Sequence, residues 1–316
     1  VTTVGAAPLA DLPGIGAAEL PALIRARYTS GVDRWTALAQ QPDPVALLDR
    51  TAGVDPAGGS GTGPSAWEQL LAGYGVGAVA STVFADSYGC WGFLDLWRDL
   101  ARGPFDQSDA GLLAAVAPAV TAALRACQAR TFDAPARPHR SDFAPVVLTL
   151  DDDLRIVGRT AAAQDWLDRL LPPAPGVDAV PASVLNVAAQ LLAAEAGVDG
   201  HPATARTHLG DGFWLTLRAA RMASDDGTDP IVVSIEETSA VERVELFTRA
   251  HGLSAREHEL FGLLATGADT RAMARLMGLS EHTVQDHLKS IFAKTGARDR
   301  VTLLSRALGT RLAPAR

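Results

Sequence analysis

Residues 280–296 read SEHTVQDHLKSIFAKTG, and this stretch holds both lysines of a 316-residue chain, Lys289 and Lys294. Elsewhere the fixed positive charge is carried entirely by arginine. Val284, Leu288 and Ile291 recur at i, i+4 and i+7, the spacing of one buried helical face. His282, Gln285, Asp286 and Lys289 make the opposite, polar stripe. Ser280 suits the helix cap, Glu281 its positive N-terminus and Lys294 its C-terminal turn, and Gly296 closes it. At about 1.5 Å per residue, a helix of about 14 residues spans roughly 21 Å, enough to lie in a major groove about 12 Å wide.

The neighbouring punctuation is helical on both sides. Ser254 and Glu257 form a capping box before an apolar-periodic helix ending near Ala265. Thr270 starts a short helix that stops at Gly278, a residue suited to the left-handed cap. Asp299 caps a last helix that Gly309 ends. A short helix, a turn of about three residues containing glycine and a second helix make a helix-turn-helix pattern. On the second helix the residue types fit base edges: Lys289 can donate to guanine O6 and N7, Gln285 pairs with adenine N6 and N7, and Asp286 accepts from cytosine N4. Asp286 also stands three residues from Lys289, as an ion-pair partner in the free protein. Amphipathic helices with polar outer faces are common, so helix and charge alone leave this reading undecided.

The full pattern decides it. Residues 253–308, LSAREHELFGLLATGADTRAMARLMGLSEHTVQDHLKSIFAKTGARDRVTLLSRAL, resemble the LuxR-type helix-turn-helix family of bacterial transcription regulators. The resemblance implies that Gln285, Asp286 and Lys289 reach base edges and that Ser280, Thr283 and His287 contact phosphates. Arg271 and Lys294 would add charge toward the backbone, which carries affinity but no sequence information. It also implies a homodimer surface at Val301, Leu304 and Leu308, residues that can equally pack under their own domain. Dimers of such domains read paired half-sites on double-stranded DNA. The chain departs from the family in having Thr270 and Arg271 where an Asn-Lys pair is usual.

Charge divides the chain. Residues 251–316 carry ten Lys+Arg against six Asp+Glu, a net +4, which leaves −12 on residues 1–250. A basic end on an acidic body is a hint of nucleic-acid contact at that end. Two cysteines, Cys90 and Cys127, are too few for a disulfide framework and have no metal-ligand spacing, which fits a reduced, cytoplasmic compartment. No secretory signal is visible, and residues 112–124, interrupted by Pro118 and Thr121, fall short of a membrane span.

Upstream, residues 67–130 read as a short helix, two strands (VGAVASTVFAD and GCWGFLDLWR) joined around residues 86–89, and a long helix from about Asp106 to Ala129 with a kink at Pro118. Residues 58–63 read as a surface loop, and residues 135–138 as a boundary. Beyond it come APVVLTLD and LRIVGRT, helices near 160–171 and 183–196, then ATARTHL, GFWLTLRAARM and PIVVSIEET, followed by a linker helix over residues 240–249. That order is α+β patterning.

RYTSGVDRW, YGVGAVASTVFADSYGCWGFLDLWR and FDQSDAGLLAAVAPAVTAALR resemble the later part of a GAF domain, with no counterpart for that family's opening helix and first strand. Residues 143–237 are similar to a small PAS-type domain. The expected architecture is therefore multidomain α+β: a GAF-like domain over 1–134, a PAS-like domain over 140–238, a linker helix over 239–250 and an all-α, four-helix LuxR-type domain over 251–312. With no lysine before residue 289, a phospho-receiver and a G-x-x-x-x-G-K-[ST] nucleotide site are both excluded. The Trp, Tyr, Asp pattern of an acyl-homoserine-lactone domain does not map onto these residues.

Other chemistry has plainer readings. Asp151–Asp153 reads as an acidic turn. His258 and Glu259 begin an H-E-x-x-H motif that Gly262 leaves incomplete. His201 and His208 have no expected cysteine or carboxylate partner, and Cys90 reads as a small buried hydrophobe. The tryptophans read as core. The expectation is a cytoplasmic, non-enzymatic regulator without cofactor or metal, binding double-stranded DNA as a homodimer under the control of a small-molecule effector or partner protein. The competing expectation is an interaction scaffold whose DNA binding is secondary.

Overall fold

The computed structural model describes residues 18–50, 65–133, 146–170, 180–210, 212–225 and 227–309. The expected loop at 58–63, the boundary at 135–138 and the last residues of the terminal domain lie outside these.

Chain order begins with α1 (Leu20–Thr29), α2 (Trp35–Leu38) and β1 (Val45–Asp49), none of them expected from the sequence. There follow α3 (Ala66–Gly73), β2 (Val76–Asp86), β3 (Gly89–Asp99) and α4 (Gln107–Arg130). The three strands form an antiparallel sheet in the order β1-β2-β3. The central strand is buried continuously from Val76 to Phe84, which explains its unbroken run of small and apolar residues. Helices α1 to α3 bring Tyr28, Trp35 and Trp67 into its core, and α4 covers the opposite face.

Helix α4 continues through Pro118 and exceeds the expected apolar segment at both ends. Its length and composition are enough to cross a membrane, which corrects the expectation of a shorter stretch. Its inner face is nonetheless committed to the sheet, with Ala117, Thr121 and Gln128 buried.

The second unit comprises β4 (Val146–Leu150), β5 (Ile156–Arg159), α5 (Ala163–Leu170), α6 (Ala182–Glu195), β6 (Thr204–His208), β7 (Trp214–Arg221) and β8 (Ile231–Glu237). Its five strands run antiparallel in the order β5-β4-β8-β7-β6, so the first and last strands of the unit meet at its centre. Alternation turns Val146, Leu148 and Leu150 of β4, with Ile231, Val233 and Ile235 of β8, to the side covered by α6.

One apolar core runs through both units, because α1 packs on the far side of α6. A buried ion pair crosses the same junction. Arg34 meets Asp199 at 2.7 Å and donates to Gln190 Oε1 at 2.9 Å. Asp199 also holds His201 Nδ1 at 2.5 Å, which corrects the expectation that His201 lacks a carboxylate partner.

The chain then leaves β8 through α7 (Ala240–Ala250) into α8 (Ala255–Ala265), α9 (Thr270–Met277), α10 (Glu281–Thr295) and α11 (Arg300–Leu308). A second core gathers Leu260, Phe261, Met273, Val284, Leu288, Ile291 and Leu303, together with Leu246 and Phe247 of α7. Phe132, just past α4, and Trp214 of β7 belong to it too, so the terminal helices are seated on the body.

Candidate nucleic-acid interface

Every expected cap forms. Ser254 Oγ accepts from the Glu257 amide at 3.3 Å while the Glu257 carboxylate accepts from the Ser254 amide at 2.6 Å. Asp269, one residue before the expected start, caps α9 through the Ala272 amide at 2.7 Å. Gly278 ends α9 in the left-handed region at φ 65°. Two residues on, Ser280 Oγ accepts from the Thr283 amide at 3.1 Å and opens α10. The turn between α9 and α10 is therefore fixed at both rims by local chemistry.

Val284, Leu288 and Ile291 are buried as their spacing requires. The opposite stripe of α10 stands open: the side chains of His282, Asp286 and Lys289 are 80%, 53% and 72% exposed. Gln285 is exposed between them. Lys289 Nζ donates to Asp286 Oδ1 at 3.0 Å, and His282 Nε2 lies 3.4 Å from Asp286 Oδ2. The Lys289 hydrogen bond holds the Asp286 carboxyl below its ordinary range. This pair is too exposed to stabilise the fold much, so its groups are cheap to redirect toward another partner.

Ser280 and Thr283 share a hydroxyl contact at 2.9 Å at the start of α10, and His287 is half-buried one turn further along. Arg271 is exposed on α9, with Arg275 exposed one turn on. Arg275 escaped the sequence reading, although its i+4 spacing from Arg271 was a usable signal. The Thr270 hydroxyl accepts from Arg300 at 2.8 Å, tying the start of α9 to α11.

Lys294 sits differently. Its ammonium donates to Glu257 Oε2 of α8 at 2.6 Å and to the Gly252 carbonyl at 3.1 Å. Glu257 is buried, and its other oxygen accepts from Ser290 at 2.6 Å. Burial pushes this carboxyl up, but the hydrogen bonds from Lys294, Ser290 and Ser254 outweigh it and hold it at about 2. Glu257 was read from sequence only as half of a capping box.

The last helix is largely spoken for. Leu303 and Ala307 are buried, Leu304 packs against the second core, and Val301 and Leu308 are half-buried. Arg243 of α7 donates to the Ala307 and Arg306 carbonyls at 3.3 and 3.2 Å and to the Gly212 carbonyl at 2.7 Å. Burial lowers this guanidinium to about 10. At the other end of α7, Arg249 donates to the Tyr88 carbonyl at 2.8 Å, at the tip of the β2-β3 hairpin. Among the described residues, no cluster of three or more His, Cys, Asp or Glu is placed to hold a metal ion.

Comparison with known proteins agrees with this geometry over one segment. Residues 251–307 match the family described as bacterial regulatory proteins, luxR family. Over 54 residues the chain is 43% identical to the monoamine regulon transcriptional regulator of Klebsiella aerogenes, covering 17% of this chain and 24% of that protein. It thus spans about a quarter of the curated relative's length. Two solved structures of Vibrio cholerae VqmA are also similar in part. The VqmA-ligand-DNA complex is 19% identical, covering 55% of this chain and 86% of the other with a TM-score of 0.23. The VqmA dimer in the absence of target DNA is 17% identical, covering 53% and 83%, with a TM-score of 0.18. Scores this low bear no weight for the arrangement of the whole chain. Residues 251–307, α8 to α11 among them, are a LuxR-type helix-turn-helix domain.

Proposed function

We propose that this chain is a sequence-specific, DNA-binding transcription regulator, non-enzymatic and cytoplasmic, that binds double-stranded DNA as a homodimer. The observation that carries the reading is the open polar stripe of α10, raised on a buried apolar face in a LuxR-type domain. Gln285, Asp286 and Lys289 address base edges, and Ser280, Thr283, His287 and Arg271 address phosphates. Lys294 acts first on its own domain, through Glu257, and adds only background charge toward DNA.

The amino-terminal units are the regulatory part, GAF-like over 1–134 and PAS-like over 140–238. The antiparallel order β5-β4-β8-β7-β6 and the helix layer on one face support the second assignment. A small molecule or a partner protein there acts by favouring one arrangement of the two recognition helices over another.

The test is a duplex-binding titration with sequences selected from a random pool by the full chain. Lys289→Ala is expected to weaken binding to the selected duplex by about 1–3 kcal/mol and to relax preference at one base position. Arg271→Ala is expected to weaken all duplexes alike and to reduce the salt dependence. Selection that enriches no sequence, or a Lys289→Ala protein with unchanged affinity and preference, sinks the reading.

A further inference from the structure

The feature left unexplained by DNA binding is the outer face of α4. Among the described residues nothing covers it: Leu112, Ala115, Val116, Ala119, Ala122 and Ala126 are all exposed, Leu112 by 65%. The spacing alternates three and four, the pattern of a helix seam made to meet another helix. The edge strand β3 widens the patch. Gly92 of β3 lies against Leu124 and Arg98 pairs with Asp109 at 2.9 Å, so β3 runs alongside α4. Between these anchors, exposed Leu94 and Leu96 stand on the side of the strand that α4 covers.

We infer that this face pairs with the same face of a second copy, the two α4 helices running antiparallel about a two-fold axis near Ala119. Charge argues for both the occupant and the direction. Residues 110–124 carry no charged side chain. Asp109 is paired with Arg98 and Arg125 with Asp86, so the charge difference between the ends of α4 rests on Asp106 at its N-terminus and Arg130 at its C-terminus. An antiparallel pair sets the acidic end of each copy beside the basic end of the other and opposes the helix dipoles. A parallel pair would stack like charges.

Size and shape agree. Alanines along the seam let two helices approach to about 8 Å. A strip about 36 Å long and, with the β3 leucines, about 15 Å wide covers roughly 500 Å² a side, about 1,000 Å² for the pair, the lower bound of a specific interface. A bilayer is the poorer occupant, because the other face of α4 packs on β2 and buries Ala117, Thr121 and Gln128.

The pairing does not depend on the DNA reading, but it suits it. Phe132, two residues past α4, sits in the core of the helix-turn-helix domain. Antiparallel helices of this length therefore hold the two domains at ends about 36 Å apart, on the order of one turn of DNA between half-sites.

The full chain is examined without DNA by sedimentation velocity over a micromolar dilution series. A dimer is expected, and Ala119→Glu, a change at an exposed position, is expected to raise its Kd roughly a hundredfold with unchanged circular dichroism. With both native cysteines replaced by serine, Ala119→Cys is expected to form a disulfide-linked dimer on mild oxidation. Leu112→Cys is not, because its copies lie roughly 21 Å apart. A monomeric wild type overturns the proposal, as does a dimer indifferent to Ala119→Glu, equal cross-linking at both positions, or a monomer that floats with phosphatidylcholine vesicles. Lys289→Ala leaves the dimer intact if the proposal holds, so loss of DNA binding and loss of pairing are told apart.

Discussion

A buried carboxylate is costly unless several donors converge on it, and Glu257 shows how one side chain can close a domain. It caps its own helix through the Ser254 amide and also accepts from Ser290 and Lys294 of α10. Glu257→Gln should destabilise the terminal domain by roughly 2 kcal/mol at neutral pH, since the Lys294 ammonium loses its counter-charge. The sign with pH follows from the direction of the shift. The folded carboxyl, at about 2, lies below its ordinary 4.5, so its contribution is complete above 4.5 and fades as pH falls toward 2. Denaturant midpoints of wild type and variant should accordingly converge over that window; a gap that persists unchanged to pH 2 would argue against the ion pair as the cause. Lys294 was legible in sequence as helix-end charge, because that effect is local. Its partner lies 37 residues away, and no spacing rule reaches so far.

At the scale of elements, the helices of the terminal domain were legible nearly to the residue. Ser254, Gly278, Ser280, Asp299 and Gly309 each act through their own backbone neighbours. Gly278 has a φ of +65°, and a Cβ added there meets nothing within 4 Å, so only backbone strain opposes a substitution. Gly278→Ala should cost about 1 kcal/mol in chemical denaturation, and Gly278→Asn measurably less. Equal losses would mean that the left-handed turn is not what the glycine serves. The strands of the five-stranded sheet were also legible as short runs between turns, and β4 and β8 bury alternate residues. Helices α1 and α2 and strand β1 were not. Strand β1 is five residues long with no alternation of burial, and it exists because β2 offers an edge. Helix α1 buries Arg27, which pairs with Asp95 at 2.7 Å, so a charged residue sits where an apolar period would be sought.

For the whole molecule, the divided charge foresaw a basic end on an acidic body, but not that the two are packed together. Phe132 and Trp214 enter the second core, and Arg243 joins α7, β7's approach and the end of α11 through three carbonyls. Contacts of this kind depend on the meeting of distant segments and leave no local trace. Arg243→Leu removes all three bonds and should lower stability by roughly 3 kcal/mol. Calorimetry should then resolve two transitions in place of one, the body and the terminal domain parting company; an unaltered single transition would show that Arg243 does not couple them. The placement of the two lysines has a practical corollary. Lys294 is tied down by Glu257 and Gly252, while Lys289 projects from the open stripe. Amine-selective reagents, and any acylating enzyme, therefore find the more accessible lysine at the centre of the exposed stripe of α10. A single label there would report on, or silence, the surface we propose reads the bases.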